Sequence, residues 1–386
     1  MKFFVLVSAC VLSGSTLAAT ILDKDNPNRI ANEYIIKLKS DEGRHQFTAK
    51  QFVRQEANRL KQAYGVSVKR QFTNVLEGFA ITANDQQLAA LAQDPGIERI
   101  EANKIMRTQA AQASATWGLD RLDSREGTDG VYTYSASGKG VHAYVIDTGI
   151  RTTHKEFAGR VGEGFSAIDD GRGPNDCHGH GSHVSATVAG TVYGVAKDAT
   201  IHGVRVMDCT GAGDDAGVIA GIDWVAENAI KPAVANMSLG GDVSASVDEA
   251  VSNAVKAGVV FVVAAGNEFR DACKVSPANV PEAITVSATS KSNWRSIYSN
   301  FGSCVDIFAP GTNITSAWNK NDTATSTISG TSMASPHVAG VVALHLEQRP
   351  TATPEEISAL IRENATPDII IWPGTGSPNL MIYTNP

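Results

Sequence analysis

Hydrophobic and polar positions follow two different grammars along this chain. Before residue 105 the apolar runs are short and interrupted. Tyr34-Ile35-Ile36-Lys37-Leu38-Lys39 predicts a strand, residues 49–64 a helix, Gly78-Phe79-Ala80-Ile81 a second strand and residues 86–92 a short helix. The turn Asp94-Pro95-Gly96 then leads into another strand, Ile97-Glu98-Arg99-Ile100. These elements predict a small α+β unit over residues 32–105. Residues 107–116 are polar and Ala-rich with no apolar period, which predicts a domain boundary open to proteolysis. Beyond it the runs lengthen. Val141-His142-Ala143-Tyr144-Val145-Ile146 and Val259-Val260-Phe261-Val262-Val263-Ala264 read as buried strands, and residues 247–255 carry apolar side chains at helical spacing. Strands alternating with helices predict an α/β domain, a parallel sheet covered by helices on both faces. Its functional residues are expected beyond the carboxyl ends of the strands.

The amino-terminal segment belongs to neither grammar. Lys2, the apolar run Phe3-Phe4-Val5-Leu6-Val7 and Val11-Leu12, then small Ala18 and Ala19 before Asp23-Lys24-Asp25, have the layout of a secretory signal over residues 1–19. The apolar stretch is too short for a membrane anchor, and no later run is long enough to span, so no membrane partner is expected. Of five cysteines, Cys10 falls in the signal, leaving Cys177, Cys209, Cys273 and Cys304. An even number in an exported chain predicts two disulfides with three possible pairings; the lack of a Cys-x-x-Cys pair weakens a zinc site. Residues 1–109 carry 15 Lys and Arg against 11 Asp and Glu, a net +4, whereas residues 110–386 carry 18 against 29, a net −11. An acidic body argues against nucleic acid as partner.

The chemistry concentrates in Gly330-Thr331-Ser332-Met333-Ala334-Ser335-Pro336-His337, which sets a hydroxyl at the mouth of a helix. A serine is a poor nucleophile until a base takes its proton and a third group orients that base. Candidates for both occur upstream. Asp147 ends the first buried strand in Val145-Ile146-Asp147-Thr148-Gly149, and Gly179-His180-Gly181-Ser182-His183 offers an imidazole among glycines. Ala264-Ala265-Gly266-Asn267 ends the second strand with a carboxamide. Alone, Asp147 could simply cap a turn; the order Asp, His, Asn, Ser is what makes the set specific.

With these motifs the chain resembles the subtilisin-like serine peptidases, most closely the secreted proteinase K branch, over nearly everything after the signal. Asn236-Met237-Ser238-Leu239-Gly240-Gly241 and the stretch from Ala110-Ala111-Gln112 to Trp117-Gly118-Leu119 match that branch more narrowly. The resemblance implies a secreted endopeptidase with Ser332 as nucleophile, His180 as base, Asp147 as orienter and Asn267 as oxyanion donor. It implies that Gly211-Ala212-Gly213 and Ser238-Leu239-Gly240 flank an extended polypeptide substrate. Gly240 with Ala264-Ala265-Gly266 would wall an uncharged first pocket for apolar or aromatic residues.

The resemblance also makes residues 20–109 a ferredoxin-like inhibitory propeptide that aids folding and is cut between Gln109 and Ala110, leaving residues 110–386 as a monomeric peptidase domain. It pairs Cys177 with Cys209 and Cys273 with Cys304. It implies a structural calcium ion held by Asp306 with the Pro281 and Ala283 carbonyls, and no catalytic cofactor; Asp120 and Asp123 are a second acidic pair, more simply read as solvated. One departure stands out: Ser185-Ala186 replaces the family's smaller Ala-Gly after the His motif, adding atoms to a packed helix. Val184 stands where some relatives carry a free cysteine, so sensitivity to thiol reagents is not implied.

Rival readings explain less. Cys177, His178, His180 and His183 resemble zinc ligands, yet zinc leaves Asp147, Asn267 and Ser332 without a role. A catalytically silent binding protein does not need a complete triad. A lipase or esterase is disfavoured because Ala334 stands where the second Gly of Gly-x-Ser-x-Gly belongs.

Overall fold

A computed structural model describes residues 18–26, 29–39, 48–104 and 110–386. The signal, apart from its last two residues, and Gln109 lie outside the described residues. The chain divides into two compact units between Arg107 and Thr108.

The first unit runs strand, helix, strand, strand, helix, strand: Arg29–Leu38, Ala49–Tyr64, Ser67–Phe72, Gly78–Thr82, Asp85–Leu91 and Ile97–Lys104. That is the ferredoxin-like order. A short strand, Thr20–Leu22, adds in parallel to Ile97–Lys104 at one edge. Both helices begin with capping boxes, Thr48 with Gln51 and Asn84 with Gln87, and the first ends at Gly65 with φ +66°. Tyr34, Ile36 and Leu38 alternate into a core with Val53, Leu60, Phe79 and Ile100. Strand Ser67–Phe72 escaped the sequence reading because it is a polar sheet edge, with only Val68 and Phe72 half-buried.

The second unit holds a nine-stranded sheet in the order Phe165–Ser166, Thr200–Arg205, His142–Asp147, Ala233–Met237, Val260–Ala264, Ile284–Thr289, Ile307–Pro310, Leu380–Met381 and Thr366–Pro367. All neighbours pair in parallel except the last two. Period-two alternation sends His142–Asp147 into two cores. Ala143 and Val145 join the core that contains Val184 and Val338, from helices His180–Ala189 and Thr331–Gln348. Tyr144 and Ile146 join Ile222 and Val251, from helices Asp215–Asn228 and Ala245–Lys256. Burying one such apolar side chain contributes roughly 1.5–3 kcal/mol.

Strand His142–Asp147 lies between Thr200–Arg205 and Ala233–Met237, so the chain passes to one side of it and then returns to the other. That reversal opens a crevice at the carboxyl ends. The polar stretch after residue 107 is not wholly irregular: Ala110–Ala113 pairs with Val131–Tyr134, through backbone bonds rather than burial. Among the described residues no helix is long and apolar enough to cross a membrane.

Candidate active site

Asp147 closes its strand fully buried at the crevice. Its oxygens lie 2.8 and 2.9 Å from His180 Nδ1, while Oδ1 also accepts the Thr148 amide at 2.7 Å. His180 opens helix His180–Ala189 and keeps a fifth of its side chain exposed. Burial works to lower the imidazole pKa. The Asp147 charge and hydrogen bond, then the Asp176 charge, outweigh burial and raise it above the ordinary value of 6.5.

Asp176 is a residue the sequence reading missed. Its Oδ1 accepts the His178 and Gly179 amides and the Thr148 hydroxyl, and its Oδ2 accepts the Ser182 amide and hydroxyl, all within 2.6–2.9 Å. One buried carboxylate thus ties the His180 turn to the strand that carries Asp147. Its sequence signal was an acid shortly before a helix, an ordinary capping pattern.

Ser332 sits in the first turn of helix Thr331–Gln348, which begins one residue before it. Its Oγ donates to the Ser238 carbonyl at 3.0 Å, and no hydrogen bond joins it to His180 among the described residues. In turn the Ser238 hydroxyl donates to the Ser332 carbonyl at 2.8 Å. Pro336 explains the second contact: it has no N–H to give the carbonyl four residues back.

Asn267 faces the same turn. Its Oδ1 accepts the Thr331 amide at 2.8 Å and the Thr331 hydroxyl at 3.0 Å, so Nδ2 is left to donate toward the crevice. The helix start adds unpaired N–H groups and positive potential beside it. Gly266, at φ +99°, has no room for a side chain: a Cβ would lie 2.3 Å from Asn300 Nδ2. Asn300, also missed, donates to the Ala265 carbonyl and to Glu268.

The pocket beside Ser332 is lined by Leu239, Gly240, Ala264, Gly266 and Asn267, and also by Glu268 and Arg270. Two expectations change here. Ala265, just past the end of its strand, is buried in the same core as Val260 and Val262 and does not wall the pocket. The rim is charged, since Glu268 directly after Asn267 was overlooked; its carboxylate stands 3.8 Å from Arg270, which stands 3.9 Å from Asp242. Ala212 also differs from expectation. Its N–H donates to the Asp208 carboxylate at 3.0 Å and its carbonyl accepts the Asp208 amide at 2.8 Å, so its backbone is already paired. Gly211, at φ +81°, lies against the His178 ring.

Disulfides join Cys177 to Cys209 and Cys273 to Cys304. Cys177 is therefore unavailable for zinc, and His183 is buried with Nε2 3.0 Å from the Ile314 carbonyl. Among the described residues the single metal-like grouping, Asp170 with Cys177 and Cys209, consists of that disulfide and an acid held by Arg205. Asp306 is the acid of the expected calcium set. Burial raises its pKa, Oδ2 accepts the Thr285 amide at 2.9 Å, and Oδ1 has only Arg362 at 3.3 Å. Asp306 would supply one carboxylate to a calcium ion, which needs about six to eight oxygens, and Arg362 is the cation now beside it. Asp120 is buried, not solvated, and accepts the Asp129 and Gly130 amides at 2.9 Å. A cavity of about 760 Å³ borders Ala233 and Gly258 at the amino ends of the strands; Pro281 and Arg362 line it, and Asp147, His180, Asn267 and Ser332 do not.

Residues 138–380 match the Subtilase family, and residues 33–109 match Peptidase inhibitor I9. The chain is 48% identical to the extracellular serine proteinase of Thermus sp. (strain Rt41A), over 98% of this chain and 96% of that one. It is 43% identical to alkaline serine exoprotease A of Vibrio alginolyticus, over 96% of this chain and 70% of that one. A crystal structure of a cold adapted subtilisin-like serine proteinase matches with a TM-score of 0.69 and 49% identity, over 70% of this chain and 99% of that one. The chain belongs to the subtilase family, with a subtilisin-like fold preceded by an I9 inhibitor unit. It is a serine endopeptidase.

Proposed function

We propose that this endopeptidase is secreted as a self-processing zymogen in which Asp147, His180, Ser332 and Asn267 carry the chemistry. The observation that carries the reading is the paired contact of His180 Nδ1 with both Asp147 oxygens, at 2.8 and 2.9 Å, in the crevice that also holds Ser332. The Ser332 hydroxyl leaves the Ser238 carbonyl, passes its proton to His180 Nε2 and attacks the peptide carbonyl. Asp147 holds the other ring nitrogen and stabilises the imidazolium. Asn267 Nδ2 and the Ser332 N–H receive the oxyanion. His180 then protonates the leaving amine, and water frees the acyl group by the reverse path.

Substrate lies extended between Leu239-Gly240 and the Gly211 carbonyl with the Gly213 backbone, which makes recognition largely blind to side chains. The first pocket takes apolar or aromatic residues, because Glu268 and Arg270 compensate each other at its rim. Cleavage of a peptide library only after Lys or Arg would sink that preference. Residues 1–19 direct export; residues 20–109 inhibit and assist folding of residues 110–386 until the bond between Gln109 and Ala110 is cut. Strand Ala110–Ala113 then anchors the new terminus of a monomer. Calcium, held by Asp306 with the Pro281 and Ala283 carbonyls, is structural; a melting temperature indifferent to chelator removes it.

The site is tested by a serine-directed phosphonate on processed enzyme. One-to-one labelling of Ser332 with loss of activity is expected; inactivation with the label elsewhere contradicts the assignment.

A further inference from the structure

Beside Asn267 the surface carries three aromatic rings wrapped around one buried guanidinium. Arg295 is 3% exposed, and its Cζ lies 5.0 Å from the Phe269 ring centre, 5.0 Å from Phe301 and 4.7 Å from Trp372. Arg295 NH1 donates to the Ser299 carbonyl at 2.5 Å and Nε to the Trp372 carbonyl at 3.3 Å, so the cation is fixed and the rings are fixed on it. The outer faces stay open: Phe269 is 47% and Trp372 56% exposed. Trp294 and Ile371 stand side by side across a parallel bridge next to them, and Ile297 projects nearby in sequence at 78% exposure. Ten large apolar side chains are exposed among the described residues; these are five of them, and they include every aromatic one. An apolar patch built on rigid supports marks an interaction site more strongly than scattered exposure does.

The patch is continuous with the crevice. Glu268 and Arg270 line the pocket beside Ser332, and Phe269 lies between them with a left-handed φ of +52°. That backbone turn sends its ring to the opposite side, onto Phe301 and Trp372, while its N–H donates to the Tyr298 carbonyl at 2.9 Å. One turn therefore builds both the pocket rim and the aromatic platform. Glu268 and Arg270 at the pocket rim thus flank the residue that carries the platform.

We propose that Phe269, Trp372 and their apolar neighbours form an exosite for an apolar segment of the polypeptide substrate, outside the residues held in the crevice. The proposal rests on the active-site reading above. Rigid rings bind such a segment at little cost in side-chain entropy, so the gain falls in capture of long chains and not in the chemical step.

The test compares the processed wild-type enzyme with Phe269→Ala/Trp372→Ala and with Ile297→Lys, which leaves the Arg295 box intact. Two substrates are used: a blocked tetrapeptide anilide, and a long peptide whose Phe- and Leu-rich end lies several residues from the bond cut. Loss of two aromatic contacts should lower kcat/KM on the long peptide about tenfold, through KM, with tetrapeptide turnover unchanged. Ile297→Lys should act in the same direction, with an unchanged melting temperature. Equal loss on both substrates, or no change on either, overturns the exosite. A wild-type dimer that the variants dissolve, with both rates unchanged, assigns the surface to a second copy and overturns it as well. Wild-type enzyme inactive on both substrates removes the active-site reading and the exosite together; tetrapeptide hydrolysis with an unaltered substrate ratio removes the exosite alone.

Discussion

Ser332 and Ser238 hold each other through crossed hydrogen bonds: the Ser332 hydroxyl donates to the Ser238 carbonyl at 3.0 Å, and the Ser238 hydroxyl to the Ser332 carbonyl at 2.8 Å. The Ser238 hydroxyl itself accepts from Asn236 Nδ2 at 2.9 Å. Because Pro336 cannot serve the Ser332 carbonyl, Ser238→Ala leaves that carbonyl without a protein partner. The expected cost is about 1–3 kcal/mol of stability, with a parallel loss in kcat. Thermal melts and steady-state kinetics check it; a variant equal to wild type in both removes the crossed pair from the account.

Asn267 has its carboxamide oxygen committed to Thr331, so only its nitrogen can serve the reaction. Asn267→Ala should keep KM near the wild-type value and lower kcat roughly 10²–10³-fold, the effect known for the equivalent donor in subtilisin itself. Unchanged kcat refutes the role.

The pH profile follows from His180. The imidazole must be neutral to act as base, and its pKa is raised because the Asp147 and Asp176 interactions outweigh burial. Hence kcat/KM should climb with pH and reach half its plateau above pH 6.5. Asp176→Asn removes one raising charge, so its acid limb should move to lower pH whatever happens to the plateau. For stability the sign is opposite. A raised folded pKa contributes below pH 6.5, and that contribution is lost as pH rises through the folded value. A limb that stays put in Asp176→Asn contradicts the electrostatic role.

Ser185 is fully buried and its hydroxyl has no hydrogen-bond partner among the described residues. The cost expected from extra atoms on this helix is therefore joined by an unmet polar group. Ser185→Ala removes it and should stabilise the enzyme by about 1–3 kcal/mol, seen as a melting temperature a few degrees higher. A lower melting temperature would mean the hydroxyl is satisfied.

The sequence made Asp147, His180, Asn267 and Ser332 legible because each stands in a short, Gly-flanked motif at the end of a strand or the start of a helix. The two long apolar strands and the helix at residues 245–256 were legible for the same reason, as their periodicity is local. Asp176 was not, since five donors converge on it only after the turn folds. The Ser238–Ser332 lock depends on a contact 94 residues apart and on a missing N–H at Pro336. Strand Ser67–Phe72 exposes four of its six side chains, so no apolar pattern announced it. Glu268 was readable, adjacent to Asn267, but its place at the pocket needed the turn that also displays Phe269.

The central claim is that Ser332 cuts peptide bonds and cuts its own chain first. Wild type and Ser332→Ala, expressed and purified alike, are assayed on casein and sequenced from the amino terminus. The account predicts an active wild type beginning at Ala110 and an inert variant that retains residues 33–104 in one covalent chain. A variant that hydrolyses casein, or that releases the Ala110 terminus unaided, contradicts it.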